Sequence, residues 1–305
     1  MKFPKTLQEA IKYFTDPDTC LEFMVSLRWS DGVTCPHCHS KEISFLSTRR
    51  IWKCLNCKKQ FSAKVGTIFE DSPVGLDKWF AAMWMIVNAK NGVSSYEIHR
   101  AIGVTQKTAW FMDHRIRMAM QTKTFEKLSG KVEADKTYVG GKAENMHKSR
   151  RERVIQGRGT IGKTAVMGIL QRKGEVITKV IPDTKKETLQ PEIEKNVKEG
   201  SEVFTDALPS YNGLDPEYKH QVIDHAIAYA IGQIHTNGIE NYWSLLKRCL
   251  KGTYIHVDPD HLFRYLDEES FRFNNRTTDD AARFLLAAAS VVGLRLTYLG
   301  LTGRQ

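Results

Sequence analysis

The sequence predicts a mixed α/β chain in which a small metal-binding module and a helical region precede a strand-rich core. Three observations support this fold class. Two C-x-x-C pairs lie in the first fifth of the chain, apolar residues recur at helical spacing from Leu76 to about Met120, and alternating segments begin at Lys131. The length of 305 residues suits about two average domains. We therefore expect several modules rather than one uniform fold.

The composition is that of a packed protein with a polyanionic partner. Hydrophobic residues make up 41% of the chain and charged residues 26%, values that exclude disordered and collagen-like sequence. Lysine and arginine number 45 against 35 acidic residues, so the net charge is +10. This excess favours nucleic acid as the partner, with an anionic membrane surface as the weaker alternative.

No segment predicts export or membrane insertion. The longest apolar stretch, Phe284 to Leu294, is shorter than the roughly 20 residues that span a bilayer. The amino-terminal residues lack the basic start, apolar run and small-residue cleavage site of a signal peptide. We expect a cytoplasmic, chromosome-associated protein with no membrane partner.

Two cysteine pairs predict a zinc ribbon in residues 31–66. The four cysteines are Cys35, Cys38, Cys54 and Cys57. The two pairs are separated by 15 residues, and four thiolates complete the tetrahedral shell that structural Zn²⁺ prefers. A ligand role for His37 or His39 is the less favoured alternative. The module is basic, which favours contact with DNA phosphates over a purely structural brace.

Residues 72–125 predict a helix-turn-helix-like region, after a helical lead in residues 1–30. Its second helix ends near Gly103, and a short turn leads into a third helix that begins at Gln106. In a helix-turn-helix the last helix enters the major groove, which places Gln106 and Lys107 near the bases. A plain helical hairpin is the alternative.

We predict that residues 128–280 form the strand-rich core. The periodicity indicates three strands, a helix, two further strands and a final helix, at 132–139, 164–170, 175–181, 185–198, 201–206, 221–223 and 237–250. This order of elements is typical of an RNase H-like fold.

Three acidic residues occupy positions that such a fold brings together. Asp135 lies within the first strand, Asp206 ends the fourth, and Glu240 lies on the final helix, at separations of 71 and 34 residues. A carboxylate cluster of this kind holds two Mg²⁺ or Mn²⁺ ions for phosphoryl transfer. The order of the three residues, rather than any one of them, predicts the site.

Several stretches carry a resemblance to a known family: Arg28–Cys38, Val132–Lys142, His235–Arg248, Gly252–Tyr254 and His261–Glu268. The chain resembles insertion-sequence transposases of the ISXO2-like family, with an N-terminal zinc ribbon and a DDE-type RNase H-like core, over nearly its whole length. The resemblance implies an enzyme that cleaves DNA at transposon ends and joins the freed 3′-hydroxyl to target DNA. It also implies double-stranded DNA as the partner of a homodimer or higher oligomer.

The resemblance implies that Asp135 and Asp206 are metal ligands, whereas two residues compete for the third position. Glu240 is a full carboxylate seven residues before Lys247, two helical turns away on the same face. Asn237 lies one turn before Glu240 and offers a neutral oxygen. We favour Glu240 and expect Lys247 to contact a phosphate of the transposon end.

A basic segment follows the first core strand. Residues 142–163 contain seven lysines and arginines against two glutamates. We expect Arg150, Arg151 and Arg153 to contact DNA phosphates, together with Arg248 on the final helix. A solvated loop without function is the alternative.

Other functional classes fit the sequence less well. Tyr138, Tyr211 and Tyr242 are candidate nucleophiles of a tyrosine recombinase, but the Arg-His-Arg surroundings of that class are absent from the sequence. A domesticated or non-catalytic DNA-binding regulator would use the ribbon and the helix-turn-helix but leaves the core unexplained. Residues 281–305 predict a C-terminal helix that closes a core or helps to pair subunits.

Overall fold

The computed structural model describes residues 2–121, 126–141, 147–149, 152, 161–214, 216–223 and 235–303. The chain divides into two compact units. Residues 1–121 and 275–305 form the first unit, and residues 122–274 form the second. Among the described residues, no helix is both long enough and apolar enough to cross a membrane.

The first unit is built from seven helices and a small sheet within its described residues. The helices are α1 (Leu7–Tyr13), α2 (Pro17–Arg28), α3 (Leu76–Asn88), α4 (Ser95–Ile102), α5 (Gln106–Ala119), α9 (Asp280–Ala289) and α10 (Tyr298–Thr302). The strands are β1 (Ile43–Leu46), β2 (Ile51–Cys54) and β3 (Gln60–Phe61), which pair antiparallel in this order.

The second unit combines a five-stranded sheet with three helices in the part that the structure describes. Its strands are β4 (Lys131–Val139), β5 (Thr164–Gln171), β6 (Val176–Ile181), β7 (Glu202–Asp206) and β8 (Lys219–Ile223). Its helices are α6 (Lys186–Asn196), α7 (Asn237–Cys249) and α8 (Leu262–Asn274).

The core of the first unit is an aromatic cluster that depends on the C-terminal segment. Phe284 of α9 is fully buried, and its ring lies 5.7 Å from Phe14, 5.8 Å from Phe23 and 5.1 Å from Trp84 between centroids. Deleting α9 would expose these rings, and burial of aromatic side chains contributes strongly to folding. The C-terminal helix therefore closes the core of this unit.

Helices α4 and α5 are joined by a short turn, at the place where the sequence predicts a turn between two helices. Ser94 accepts a hydrogen bond from the N–H of Glu97 and begins α4, and Gly103 ends it in the left-handed conformation at φ +64°. Thr105 then caps α5 by accepting from the N–H of Thr108. Capping residues at both ends explain why these boundaries could be read from the sequence.

The sheet of the second unit has the strand order β6-β5-β4-β7-β8. Strand β4 is antiparallel to β5 and parallel to β7, and β8 continues parallel to β7. Strand β8 begins two residues earlier than the alternating pattern predicts, at Lys219, because Lys219 pairs with Glu202 in the parallel register. The sheet thus places β4 and β7 side by side at its centre.

Helices cover both faces of this sheet, as the alternation of buried residues in β4 requires. Ala134 packs with Leu189 and Ile193 of α6 on one face. On the other face, Ile239 and Trp243 of α7 pack in a second cluster. Asp135, next to Ala134 in the strand, faces the α7 side, where it meets the indole of Trp243.

Glycine at position 168 lets α7 lie close to the sheet. A Cβ built on Gly168 would lie 2.7 Å from the Trp243 indole and 2.8 Å from Ile239 Cδ1. These are closer contacts than carbon atoms tolerate, so a side chain there would push α7 outwards. The spacing between helix and sheet, and hence the position of Trp243, depends on this residue.

Candidate functional site

The four cysteines of the ribbon converge on one point. The sulfurs of Cys35 and Cys57 lie 3.7 Å apart, those of Cys38 and Cys54 lie 3.5 Å apart, and all four fall within 4.8 Å of one another. Within the described chain, this is the only group of three or more potential His, Cys, Asp or Glu ligands at that spacing. Neither His37 nor His39 belongs to it. The cluster fits a tetrahedral zinc ion.

The backbone around Cys54 favours the thiolate form that a metal requires. Burial opposes ionisation of Cys54, but N–H groups of Cys57 and Asn56 lower the pKa of its thiol to about 6. The N–H of His37 likewise points at the sulfur of Cys35, at 3.4 Å. The cysteines differ in this respect: the backbone N–H of Ser40 favours the thiolate of Cys38, but burial and the sulfurs of the other three cysteines raise the pKa of its thiol to about 12.

A second cluster of charge lies in the central sheet, where Asp135 and Asp206 lie on neighbouring parallel strands. The β4–β7 register pairs Glu133 with Phe204, and each aspartate follows two residues later. In a parallel pair, residues at matched positions point to the same face. The register thus brings together two aspartates that are 71 positions apart in the chain.

Lys136 and Trp243 contact this pair of carboxylates. The ammonium of Lys136 forms an ion pair with Asp206 and lies 4.0 Å from Oδ1 of Asp135. The indole Nε1 of Trp243 donates a hydrogen bond to the other oxygen of Asp135, at 2.9 Å. Burial raises the pKa of the Asp135 carboxyl, while Lys136 and Trp243 act in the opposite direction.

The two candidates for the third ligand lie at the start of α7. Asn237 is the first residue of the helix and is exposed, and Glu240 lies one turn later and is half-buried. The hydroxyl of Thr236 donates to Oε1 of Glu240 at 2.8 Å. Glu240 precedes Trp243 by three residues, so both lie on neighbouring parts of one helix face. The Glu240 oxygens do not form a compact ligand group with both aspartates.

A buried network ties the start of α7 to the strand that carries Asp135. Glu133, two residues before Asp135, is fully buried, and its Oε2 accepts a hydrogen bond from the N–H of Ile239 at 2.9 Å. Its Oε1 accepts from Nε of Arg172 at 2.7 Å. The guanidinium of Arg172 in turn stacks on Phe204, two residues before Asp206, at 4.1 Å from the ring centroid. One carboxylate thus links β4, β7 and α7.

Comparison with known proteins shows the family of this chain. A family described as "ISXO2-like transposase domain" matches residues 127–274, and one described as "Transposase zinc-ribbon domain" matches residues 15–60. An "Uncharacterized transposase-like protein" of Haemophilus influenzae is 38% identical over 104 residues, which are 34% of this chain and 84% of the relative. The chain belongs to the ISXO2-like transposase family.

A second relative matches most of the chain. The "Uncharacterized protein in transposable element ISH50" of Halobacterium salinarum is 27% identical over 269 residues, which are 84% of this chain and 90% of the relative. The similarity thus extends beyond the second unit. It supports a transposase role, and the zinc-ribbon match agrees with the four-cysteine cluster.

Two of the predicted DNA contacts in this family member lie at the start of α5. Gln106 is half-buried, and its Nε2 donates to the hydroxyl of Ser95 at 2.9 Å, so this amide braces the two helices against each other. Lys107 is exposed, with its ammonium 4.9 Å from the ring centroid of Tyr298. Farther along the helix, Arg115 is buried and donates to backbone carbonyls, which gives it a structural role.

The remaining predicted DNA contacts differ in exposure, and some of them lie outside the described residues. Lys247 is half-buried on α7, and Arg248 beside it is exposed. Arg150, Arg151 and Arg153 lie outside the described residues.

Two of the three candidate tyrosines are buried, which argues against them as nucleophiles, whereas Tyr138 is half-buried, with its hydroxyl 3.4 Å from that of Thr184. Tyr211 is fully buried, and burial together with the charges of Asp135 and Asp206 raises the pKa of its phenol well above the ordinary value. Burial also raises the pKa of Tyr242, whose hydroxyl pairs with Ser270 at 3.0 Å. Both phenols therefore stay protonated and pack in the core, which agrees with the sequence-based argument against a tyrosine recombinase.

Sequence reasoning missed three residues that shape the site. Trp243 was expected only to pack, yet its polar tip reaches Asp135. Lys136 and Glu133 lie near Asp135 in β4, but the sequence does not indicate their contacts. The partner of Lys136, for example, is 70 positions away, and an ion pair over that separation leaves no local pattern. One feature of the sequence could have indicated that Trp243 lies at the site: it follows Glu240 by three residues on the predicted helix.

Proposed function

We propose that this protein is a metal-dependent DNA transposase with an RNase H-like catalytic core. It cleaves DNA at the ends of its element and joins the freed 3′-hydroxyl to target DNA. The observation that carries the proposal is the pair Asp135 and Asp206 on adjacent parallel strands, with α7 packed beside them. The strand order β6-β5-β4-β7-β8, with β5 antiparallel to its neighbours, supports the RNase H-like assignment.

The chemistry of the donors fits Mg²⁺ or Mn²⁺. Carboxylate oxygens are the ligands that these hard cations prefer, and the pair already accommodates the positive charge of Lys136. Asp135 and Asp206 would hold the metal, with Glu240 as the preferred third ligand and Asn237 as its rival. When bound, such an ion would supply activation of the attacking oxygen and stabilisation of the leaving oxygen in phosphoryl transfer.

The protein side chains have separate tasks around this centre. The indole of Trp243 orients the carboxylate of Asp135 through its hydrogen bond. Glu133 and Arg172 hold the start of α7, and with it Glu240, against β4. Lys247 and Arg248 provide positive charge for the phosphates of the transposon end. Because water and then a 3′-hydroxyl are the nucleophiles, no covalent enzyme intermediate forms.

The helix-turn-helix and the zinc ribbon are proposed to recognise the DNA. The first turn of α5 would enter the major groove with Lys107 and Gln106, and the basic ribbon would contact phosphates. Arg150, Arg151 and Arg153 would add contacts with DNA phosphates. The protein would act on the chromosome in the cytoplasm, as at least a dimer, because two transposon ends must be brought together.

Strand cleavage and joining in Mg²⁺ or Mn²⁺ test the proposal directly. The substrate is DNA from both flanks of the gene, and Asp206→Asn is compared with Asp260→Asn, an exposed aspartate of the same unit. We expect Asp206→Asn to abolish cleavage and joining and Asp260→Asn to retain both. Binding of the flanks without cleavage by the wild-type chain, across metals and salt concentrations, would favour a non-catalytic or domesticated DNA-binding regulator.

The identity of the third ligand requires a separate comparison. Glu240→Gln removes a charge and keeps the size of the side chain, and Asn237→Ala removes the rival oxygen. We expect Glu240→Gln to lower the cleavage rate by roughly a hundredfold or more, on the scale of other losses of transition-state stabilisation. A fully active Glu240→Gln enzyme combined with an inactive Asn237→Ala enzyme would assign the role to Asn237.

A further inference from the structure

Lys136 is placed where a metal ion is proposed to bind. Its ammonium contacts Asp206 and lies 4.0 Å from Oδ1 of Asp135, so one positive charge lies between two negative ones. The exposed fractions of the three side chains are 15% for Lys136, 17% for Asp135 and 24% for Asp206. Water therefore screens these charges only in part, and their interactions are stronger than those of a surface ion pair.

The length of the Lys136 side chain allows its ammonium to leave the two carboxylates. Neighbouring residues of a strand start on opposite faces of the sheet, so Lys136 begins on the face opposite to Asp135. Only its long, flexible stem brings the ammonium back to the two carboxylates. The same stem allows the ammonium to withdraw while the strand stays in place.

A divalent cation and the ammonium compete for the same oxygen atoms. Two cations held by one carboxylate pair would repel each other strongly in this partly buried position. The pair has a charge of −2, and the ammonium neutralises half of it before any metal arrives. Metal binding must therefore replace the interaction with Lys136 as well as the hydration of the carboxylates.

We propose that Lys136 is a tethered cation that occupies the Asp135–Asp206 pair until a divalent metal displaces it. This inference rests on the proposed function, because it assumes that the pair is the metal site. Lys136 then acts as a positioning residue: it holds two like charges together in the free protein and lowers the metal affinity of the site. A residue that only packed against the strand would have neither effect.

Direct metal binding tests the competition. Zinc-loaded full-length protein is titrated with Mn²⁺, and free Mn²⁺ is followed by electron paramagnetic resonance. The binding that Asp206→Ala removes defines the site. We expect Lys136→Met to bind Mn²⁺ at this site roughly tenfold more tightly than the wild type, which corresponds to about 1.4 kcal/mol. The control is Lys131→Met, an exposed lysine at the start of the same strand, which should bind as the wild type does.

Thermal unfolding provides a second readout that a packing role would not reproduce. Without Mn²⁺, Lys136→Met should melt at a lower temperature than the wild type, because the two carboxylates repel each other. With Mn²⁺, its melting temperature should rise by more than that of the wild type, since a tighter ligand stabilises the folded state more. Lys136→Gln serves as the second neutral variant if Lys136→Met does not fold.

The outcomes separate this inference from the proposed function. Equal Mn²⁺ affinity of the wild type and both neutral variants at an Asp206-dependent site would overturn the role of Lys136 and leave the metal site intact. Equal tightening in Lys131→Met would also overturn it, because net charge alone would then explain the effect. If neither wild type nor variants bind Mn²⁺ at an Asp206-dependent site, both the inference and the proposed metal centre fail.

Discussion

The four-cysteine cluster and the Asp135–Asp206 pair are both suited to cations, yet the chain builds them in different ways. The cysteines lie within one short module, and the two cysteines of each pair are separated by only two residues. The aspartates lie 71 positions apart and meet only because β4 and β7 are adjacent and in register. The first site depends on local spacing, and the second depends on the whole sheet.

The surroundings of the two sites differ in the same way. Backbone N–H groups from within each knuckle point at the cysteine sulfurs, as with Cys57 and Cys54. Asp135, in contrast, receives its hydrogen bond from Trp243, which lies 108 positions away. A locally supported site tolerates changes elsewhere in the fold, whereas a site supported by distant elements is sensitive to every contact that holds them together.

Loss of one cysteine should have the largest effect. Cys54→Ser is expected to lose the metal and unfold the ribbon, because binding of structural zinc contributes apparent free energies of about 10–16 kcal/mol to small zinc domains. Zinc content per chain and the fluorescence of Trp52, which stacks on Phe61 in this module, measure the change. Cys20→Ser is the control, a buried cysteine outside the cluster that should retain full zinc content. Full zinc content in Cys54→Ser would contradict the prediction.

Removal of the buried carboxylate behind Asp135 should have the next largest effect. Glu133→Ala leaves the guanidinium of Arg172 without its ion pair and the N–H of Ile239 without its acceptor. Breaking a buried pair in this way costs about 3–5 kcal/mol, which urea unfolding of the second unit measures. Glu133→Gln keeps an acceptor and should lose less. Zinc content should be unchanged in both variants, and a matching loss of zinc would undermine the contrast between the two sites.

A side chain at position 168 should have a smaller effect on the same region. Gly168→Ala would place a methyl group 2.7 Å from the Trp243 indole, and overpacking of this kind costs about 1–3 kcal/mol. We expect a lower melting temperature and altered tryptophan fluorescence. Gly141→Ala is the matched control, because a Cβ there has no neighbour within 4 Å among the described atoms. Equal melting temperatures for the two variants would show that α7 is not held at this distance.

The smallest effect is expected from lengthening the ribbon between its two knuckles. Insertion of Gly-Ser between Thr48 and Arg49, in the turn that joins β1 to β2, leaves both C-x-x-C pairs intact. Loop closure becomes less favourable by only about 0.6 kcal/mol for a doubling in length. We expect zinc content to stay at the wild-type value, measured alongside the melting temperature. Loss of zinc would show that the ribbon also depends on precise strand pairing.

Local features of the fold could be read directly from the sequence. The first residues of α3 and α5, Leu76 and Gln106, agree with the positions that the sequence predicts, because helical spacing and, for α5, the Thr105 cap are short-range signals. The four cysteines were identified for the same reason. The five core strands were also found, although the start of β8 was missed because it is defined by its partner β7.

The contacts of Asp135 and Asp206 were beyond such reasoning. The sequence predicted that the fold brings both aspartates together, but it contained no sign of the Trp243 hydrogen bond, the Lys136 ion pair or the Glu133–Arg172 network. Each of these contacts joins residues that are far apart in the chain.

The sequence by itself predicted the four cysteines that the structure brings together, the turn between α4 and α5, the order of the five strands in the second unit, and the family, but not α8. These properties depend on spacing, capping and periodicity within short windows of chain. Only the tertiary structure decided which charges meet: that Lys136 lies between the two aspartates, and that Glu133 binds the first turn of α7. The physical reason is that electrostatic and hydrogen-bond partners are set by distance in space, which strand register and helix packing establish.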